Sequence, residues 1–283
     1  MRKFPLLAVF FAGSLSLLGL AVFGARAEAA DGGCGARVAE IVRSAYPSAK
    51  GSGDGTYEFD GFTISVAKDD ALSAVPQNVI CRVWPARPEL TLVAVPLMSQ
   101  MSDDGNTGDL EVLVVDSATN QVKQRQMFKN LMSDDALRIT SLAFDTAFYQ
   151  LSPGRVAFGL RLSEEGSSRP NPFGDTSLRL FDIDGDQLRL IVDGLLVEEM
   201  DGEWDTNCAG EFHTTKRTLS MQPSKTKGFA DILIAEARTT SINTPAGEDC
   251  KSEDKTASSQ IRLRYNGTVY PLTKGLTQVQ DAD

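Results

Sequence analysis

Short runs of Val, Ile, Leu and Phe, broken by polar and Gly-containing segments, dominate this chain, and that pattern predicts strands. One segment differs. Val38, Ile41, Val42 and Ala45 share a face at helical spacing and Pro47 ends the pattern, so a single short helix is expected near the N-terminus. A Gly/Ser-rich loop at 50–55 follows, then a strand at 56–66.

The strands beyond that point fall into one arrangement three times over, each a strand pair, a long polar connection, and a second pair closed by a turn. The first set is 79–84, 90–97, 110–116 and 122–128; the second is 138–148, 155–162, 177–183 and 187–192. The third is 211–221, 229–239, 260–265 and 268–272, and the long connections are 99–108, 163–175 and 240–259. Asp184-Gly185 and Asn266-Gly267 suit tight closing turns, because Gly and Asn adopt positive φ at little cost. Many of the strands are apolar at successive positions, which places them between two layers.

The expected fold is therefore all-β, with three tandem four-stranded antiparallel units, propeller-like or as packed sheets, and one short N-terminal helix. Residues 28–75 hold the helix and a strand, and 76–283 hold the repeated body, with units near 76–130, 136–195 and 208–275. Three units are fewer than a propeller usually has, and their spacing is uneven.

At the N-terminus Arg2 and Lys3 precede an apolar run that ends in Ala25-Arg26-Ala27, the three regions of a secretory signal peptide spanning residues 1–27. The chain is thus expected to be periplasmic or secreted, with no membrane association after cleavage. Losing Arg2, Lys3 and Arg26 takes Lys+Arg from 28 to 25 against 38 Asp+Glu, so the formal charge moves from -10 to -13. That acidity argues against nucleic acid as a partner, since binding to phosphates needs basic side chains. It is compatible with a protein or polar small ligand of cationic character.

Cys34, Cys81, Cys208 and Cys250 form an even set suited to an oxidising compartment. Pairing within each region gives Cys34 with Cys81 and Cys208 with Cys250. No C-x-x-C pair or cofactor motif is present, so no cofactor is expected.

Candidate chemistry is sparse. His213 is the one histidine and lies in a predicted strand without a nucleophile elbow, which gives little basis for triad catalysis. Asp182, Asp184 and Asp186 resemble the start of a calcium loop, but Gln187 stands where that loop needs Gly, and Asp-Gly is ordinary turn chemistry. In a meander the three long connections leave from the same edge of every unit. They would gather Asp103, Asp104, Asn106, Glu164, Glu165, Arg169, Asn171, Phe173, Glu248 and Asp249 into one binding face. An alternative site is Trp204 with Asp205, between the second and third units and beside Cys208. The functional expectation is a non-catalytic exported binding protein. Its alternatives are an acidic inhibitor or immunity-type protein that neutralises a basic enzyme, and a hydrolase working through paired carboxylates.

Overall fold

The computed structural model describes residues 34–67, 75–247 and 249–277, so the expected signal peptide lies outside the described residues. Two antiparallel sheets and one helix, α1 (Arg37–Ala45), make up the described chain. The first sheet holds β1 (Lys50–Gly51), β2 (Thr56–Phe59), β3 (Phe62–Ser65), β4 (Ile80–Val83), β5 (Leu90–Met101), β6 (Asn106–Asp116) and β7 (Val122–Phe128). The second is a seven-stranded meander of β8 (Leu137–Ser152), β9 (Arg155–Gly166), β10 (Phe173–Asp184), β11 (Gln187–Trp204), β12 (Gly210–Thr226), β13 (Phe229–Ala246) and β14 (Asp249–Leu263).

Alternation of side chains along β5 and β6 explains why their apolar runs are continuous, since Leu90–Met98 and Leu110–Val115 are buried on both faces. Leu90, Leu92, Ala94, Leu110, Val112 and Val114 turn toward the second sheet, where they meet Ile139, Phe144, Phe158, Leu160 and Phe181. Val93, Val95, Leu97, Leu113 and Val115 turn the other way and pack under Ile41, Val42 and Ala45 of α1. Cys34 and Cys81 are bonded, which ties the start of α1 to β4. On that helix-facing side, buried Glu111 accepts the Tyr46 hydroxyl at 2.5 Å and lies 3.5 Å from Arg125. Burial and that neighbouring carboxylate push the Tyr46 hydroxyl far above its ordinary range.

The second sheet carries another core on its far face, built from Leu178, Leu180, Ile191, Leu195, Val197, Ile232, Ile234 and Leu263 and closed by Tyr265, Tyr270 and Leu276. The first expected unit corresponds to β4–β7 and the second to β8–β11, while β12–β14 of the third continue the second sheet without a break. This is a packed-sheet arrangement. The strand expected at 268–272 does not form: the Tyr270 amide donates to the Ile191 carbonyl at 2.7 Å and its hydroxyl donates to the Ala230 carbonyl at 2.7 Å. The tail gains more by covering the second core than by extending a ladder. Asn266-Gly267 still turns the chain, with Asn266 Oδ1 accepting the Thr268 and Val269 amides and Gly267 at a φ of 108°.

The long connections also need correction. Residues 240–246 and 249–259 form a ladder and no loop, since β13 and β14 pair from Ile232 opposite Leu263 to Ala246 opposite Asp249 with no shift in register. Likewise β5 and β6 close on each other to Met101 and Asn106, and only 167–172 between β9 and β10 lies outside a strand. A ladder needs backbone pairing but no apolar face, so polar composition is a poor guide to loops here.

Candidate binding site

Beyond the second core the strands β11 to β14 run on together as a ribbon. Along β14 every residue from Asp249 to Gln260 is exposed. With no core beneath it, this ribbon depends on its ladder, on cross-strand pairs such as Thr239 with Thr256 at 2.8 Å, and on two covalent or ionic anchors. At its outer end Cys208 bonds Cys250, which joins the β11–β12 turn to the start of β14. At its foot the buried Arg217 guanidinium donates to the Leu196 carbonyl at 2.8 Å and to Glu236 at 2.7 Å, and it also pairs with Glu199.

The outer end of β11 and β12 carries the same tripeptide pattern on both strands, Gly202-Glu203-Trp204 and Gly210-Glu211-Phe212. Antiparallel pairing sets Gly202 opposite Phe212, Trp204 opposite Gly210 and Glu203 opposite Glu211. The consequence is a two-sided ribbon. Glycines and aromatic rings share one face, and the glutamates share the other. A side chain at Gly202 would start 2.7 Å from the Phe212 ring, and one at Gly210 would start 3.1 Å from the Trp204 ring. The glycines therefore clear the space in which the two rings lie.

That aromatic face opens as a groove of about 430 Å³ lined by Arg169, Pro172, Trp204, Asn207, Phe212, Asn243 and the Cys208–Cys250 disulfide. Its walls are positioned by backbone contacts. The Trp204 amide donates to the Pro170 carbonyl at 2.7 Å, which holds the 167–172 connection against β11. Asp205 accepts the Asn207 and Cys208 amides, each at 2.8 Å, and so shapes the turn that presents Cys208. Those amides, Asn207 first, hold the Asp205 carboxyl below the usual aspartate range. Trp204 thus lines the groove, while Asp205 is occupied in building it.

On the opposite face a second depression of about 490 Å³ is lined by Asn171, Pro172, Phe173, Asp201, Glu203, Glu211 and His213. His213 pairs across the ladder with Asp201, its Nδ1 lies 3.2 Å from the Thr240 hydroxyl and its Nε2 lies 3.7 Å from Glu211. The two depressions share Pro172 at one border.

Of the residues expected on one loop face, Arg169, Asn171 and Phe173 line these two depressions, and Asp249 opens β14 beside Cys250. Glu248 lies outside the described residues. Glu164 and Glu165 sit within β9, opposite Asp175 and Gly174. Asp103 and Asp104 cap the β5–β6 hairpin, and Asn106 is held by the carboxylate of Asp134 at 2.8 Å. That hairpin reaches the second sheet where Arg138, the cross-strand partner of Glu165, donates to the Ser102 carbonyl at 3.2 Å. The connections are therefore joined in series, and the Trp204 junction, expected as a separate alternative, belongs to the same end as the second and third of them. Phe212 is absent from the residues expected from sequence. The signal that marks it is the repeated Gly-Glu-aromatic tripeptide on two pairing strands.

The Asp182–Asp184 turn is occupied differently. Fully buried Asp182 receives a two-pronged contact from Arg155 at 2.7 and 2.6 Å and a third from Arg189 at 2.8 Å, and Asp184 lies 3.2 and 3.4 Å from the same arginines. Two guanidinium groups supply the positive charge there, and Gly185 turns the chain at a φ of 60°. Among the described residues there is no group of three or more His, Cys, Asp or Glu placed to hold a metal ion, and no helix is long and apolar enough to cross a membrane. No protein-family model, curated protein or solved structure matches this chain.

Proposed function

We propose that this chain is an exported, periplasmic or secreted, non-catalytic binding protein, and that it grips a partner protein at the outer end of the β11–β14 ribbon. The observation that supports this most is the aromatic groove itself: two rings cleared by facing glycines, walled by a disulfide and closed by the 167–172 connection. Rigid aromatic surface with adjacent hydrogen-bonding groups is what interface hot spots are made of. Asn207 and Asn243 provide such groups here.

Charge selects the partner. Asp201, Glu203 and Glu211 are exposed on the reverse of the same ribbon, within a chain of formal charge -10. A partner that seats an apolar side chain in the groove and carries Lys or Arg beside it satisfies both faces at once. Two disulfides fit the export reading, since such bonds persist in oxidising compartments.

Display of random linear peptides against the purified protein tests this. Enriched peptides should combine an aromatic or large aliphatic residue with neighbouring basic residues, and Trp204→Ala should weaken them about tenfold or more. Enrichment of acidic peptides, or equal binding to Trp204→Ala, would remove the groove from the account. A second reading, inhibition of a basic enzyme, is favoured by Glu203 and Glu211 standing directly opposite each other on an exposed face. It predicts salt-sensitive inhibition of a cationic hydrolase that Glu203→Lys with Glu211→Lys abolishes while Trp204→Ala does not.

A further inference from the structure

The two edges of the second sheet are built in opposite ways. At one edge β8 changes register three times along its pairing with β9, between Ile139 and Ser141, Asp145 and Tyr149, and Gln150 and Ser152. Such bulges twist an edge away from flat pairing, and they are one of the standard protections against another strand adding there. At the other edge β14 has no bulge, and its edge lysines, Lys251 and Lys255, lie in its first half. It pairs with β13 over fifteen consecutive residues without a shift, contains no proline, and is exposed from Asp249 to Gln260.

Charge along β14 is unevenly placed. Asp249, Lys251, Glu253, Asp254 and Lys255 occupy its first half, whereas Thr256 to Ile261 carry no charge. We infer that β14 is the pairing edge for a second copy of this chain, the two β14 strands running antiparallel about a two-fold axis at Thr256. In that register the charged half of each strand meets the uncharged half of the other: Lys255 opposes Ala257, Asp254 opposes Ser258, Glu253 opposes Ser259, and Ser252 opposes Gln260. No like charges meet, and every residue in the overlap from Ser252 to Gln260 is exposed and accessible. Symmetric registers toward the charged half are worse, and an axis beyond Thr256, the midpoint of Asp249–Leu263, shortens the overlap. An axis at Glu253, Asp254 or Lys255 sets that charged residue against its own copy. Paired residues of an antiparallel ladder share a face, so Asp254 of one copy and position 258 of the other project side by side. The resulting assembly is one sheet continued across both copies, isologous as a two-fold interface must be.

This inference does not depend on the aromatic groove, which meets β14 only at Cys250, outside the overlap from Ser252 to Gln260. It is tested by sedimentation velocity of the full mature chain over a concentration series. Dimer should grow with concentration, and Ser258→Asp, which puts a second carboxylate beside Asp254 twice per dimer, should raise the dissociation constant about tenfold. Ser258→Lys should hold or strengthen the dimer. Combining Asp254→Lys with Ser258→Asp restores an opposite pair, so that double variant should return to within about threefold of the parent. Thermal melts of each variant as monomer separate a folding defect from a pairing defect. A protein that stays monomeric to concentrations on the order of 1 mM, or one in which Ser258→Asp and Ser258→Lys behave alike, overturns the inference.

Discussion

The first sheet and the ribbon at the end of the second are both antiparallel ladders, yet different forces define them. Side chains of β5 and β6 are buried on both faces, so moving either strand by one residue would exchange what faces α1 and what faces Phe158. Hydrophobic burial fixes that register strongly. The ribbon has no such constraint, because β14 from Asp249 to Gln260 is exposed on both faces and β13 from Ala237 to Ala246 is exposed or half-buried. Its register rests on the Cys208–Cys250 bond at one end and the Arg217 cluster at the other. A fold can thus carry a surface that its core does not specify, provided both ends of that surface are pinned.

Truncating the core should show the contrast most sharply. Phe158 contacts Trp84, Phe144 and Phe181, and Phe158→Ala should cost about 3–5 kcal/mol in denaturant unfolding, lowering the stability of both sheets together. A loss below about 1 kcal/mol would mean the two sheets pack more loosely than these ring contacts imply. Next in size is the pin. The Cys208–Cys250 bond closes a segment with a sequence separation of 42, for which chain entropy gives about 4 kcal/mol as an upper figure. Replacing both cysteines by serine should reduce stability less than that figure. It should abolish amide protection in the outer ribbon, near Thr240 and Thr256, while protection in β5 and β6 persists. Uniform loss of protection would show that body and ribbon unfold as one.

Acid should act on the body through a defined group. Burial alone would raise the Asp145 carboxyl, but the Ala147 amide, Arg161 and the Tyr149 hydroxyl outweigh it and hold it below the usual aspartate range. A depressed carboxyl stabilises the folded state above its unfolded value of about 3.9, and that stability drains away as the pH falls through the lower folded value. Asp145→Asn should flatten the stability profile below about pH 4, as read by urea midpoints. The smallest effect belongs to the ribbon surface. Ile242 is 37% exposed, and Ile242→Ala should change stability by no more than about 0.5 kcal/mol.

The same division decides which parts of the fold are legible in the amino-acid sequence. Strands β4 to β7 are legible because their apolar runs record burial, and the pairing of Cys34 with Cys81 follows from proximity along the chain. The segment 240–259 is not, because Thr, Ser and charged residues with no apolar face look the same in a loop and in a two-sided exposed ladder. Thr239, Thr240, Ile242, Thr244 and Thr256, in and beside it, are strand-favouring residues and hint at its true state. Trp204 is visible as an aromatic beside a cysteine. Its pairing with Phe212 requires knowing that β11 and β12 adjoin, which is a property of the ladder and not of either segment alone.

The continuous pairing of β13 with β14 has a consequence for survival outside the cytoplasm, where this chain is proposed to work. Arg238, Lys251 and Lys255 are exposed and would each invite cleavage by a trypsin-like protease if they lay in a loop. A protease must draw its substrate into the active-site cleft as a lone extended strand. Here that strand is already bonded to its neighbour, so cutting at any of these residues first requires the ladder to open. The surface proposed to meet partners is in this way shielded from digestion by the same hydrogen bonds that pair its strands.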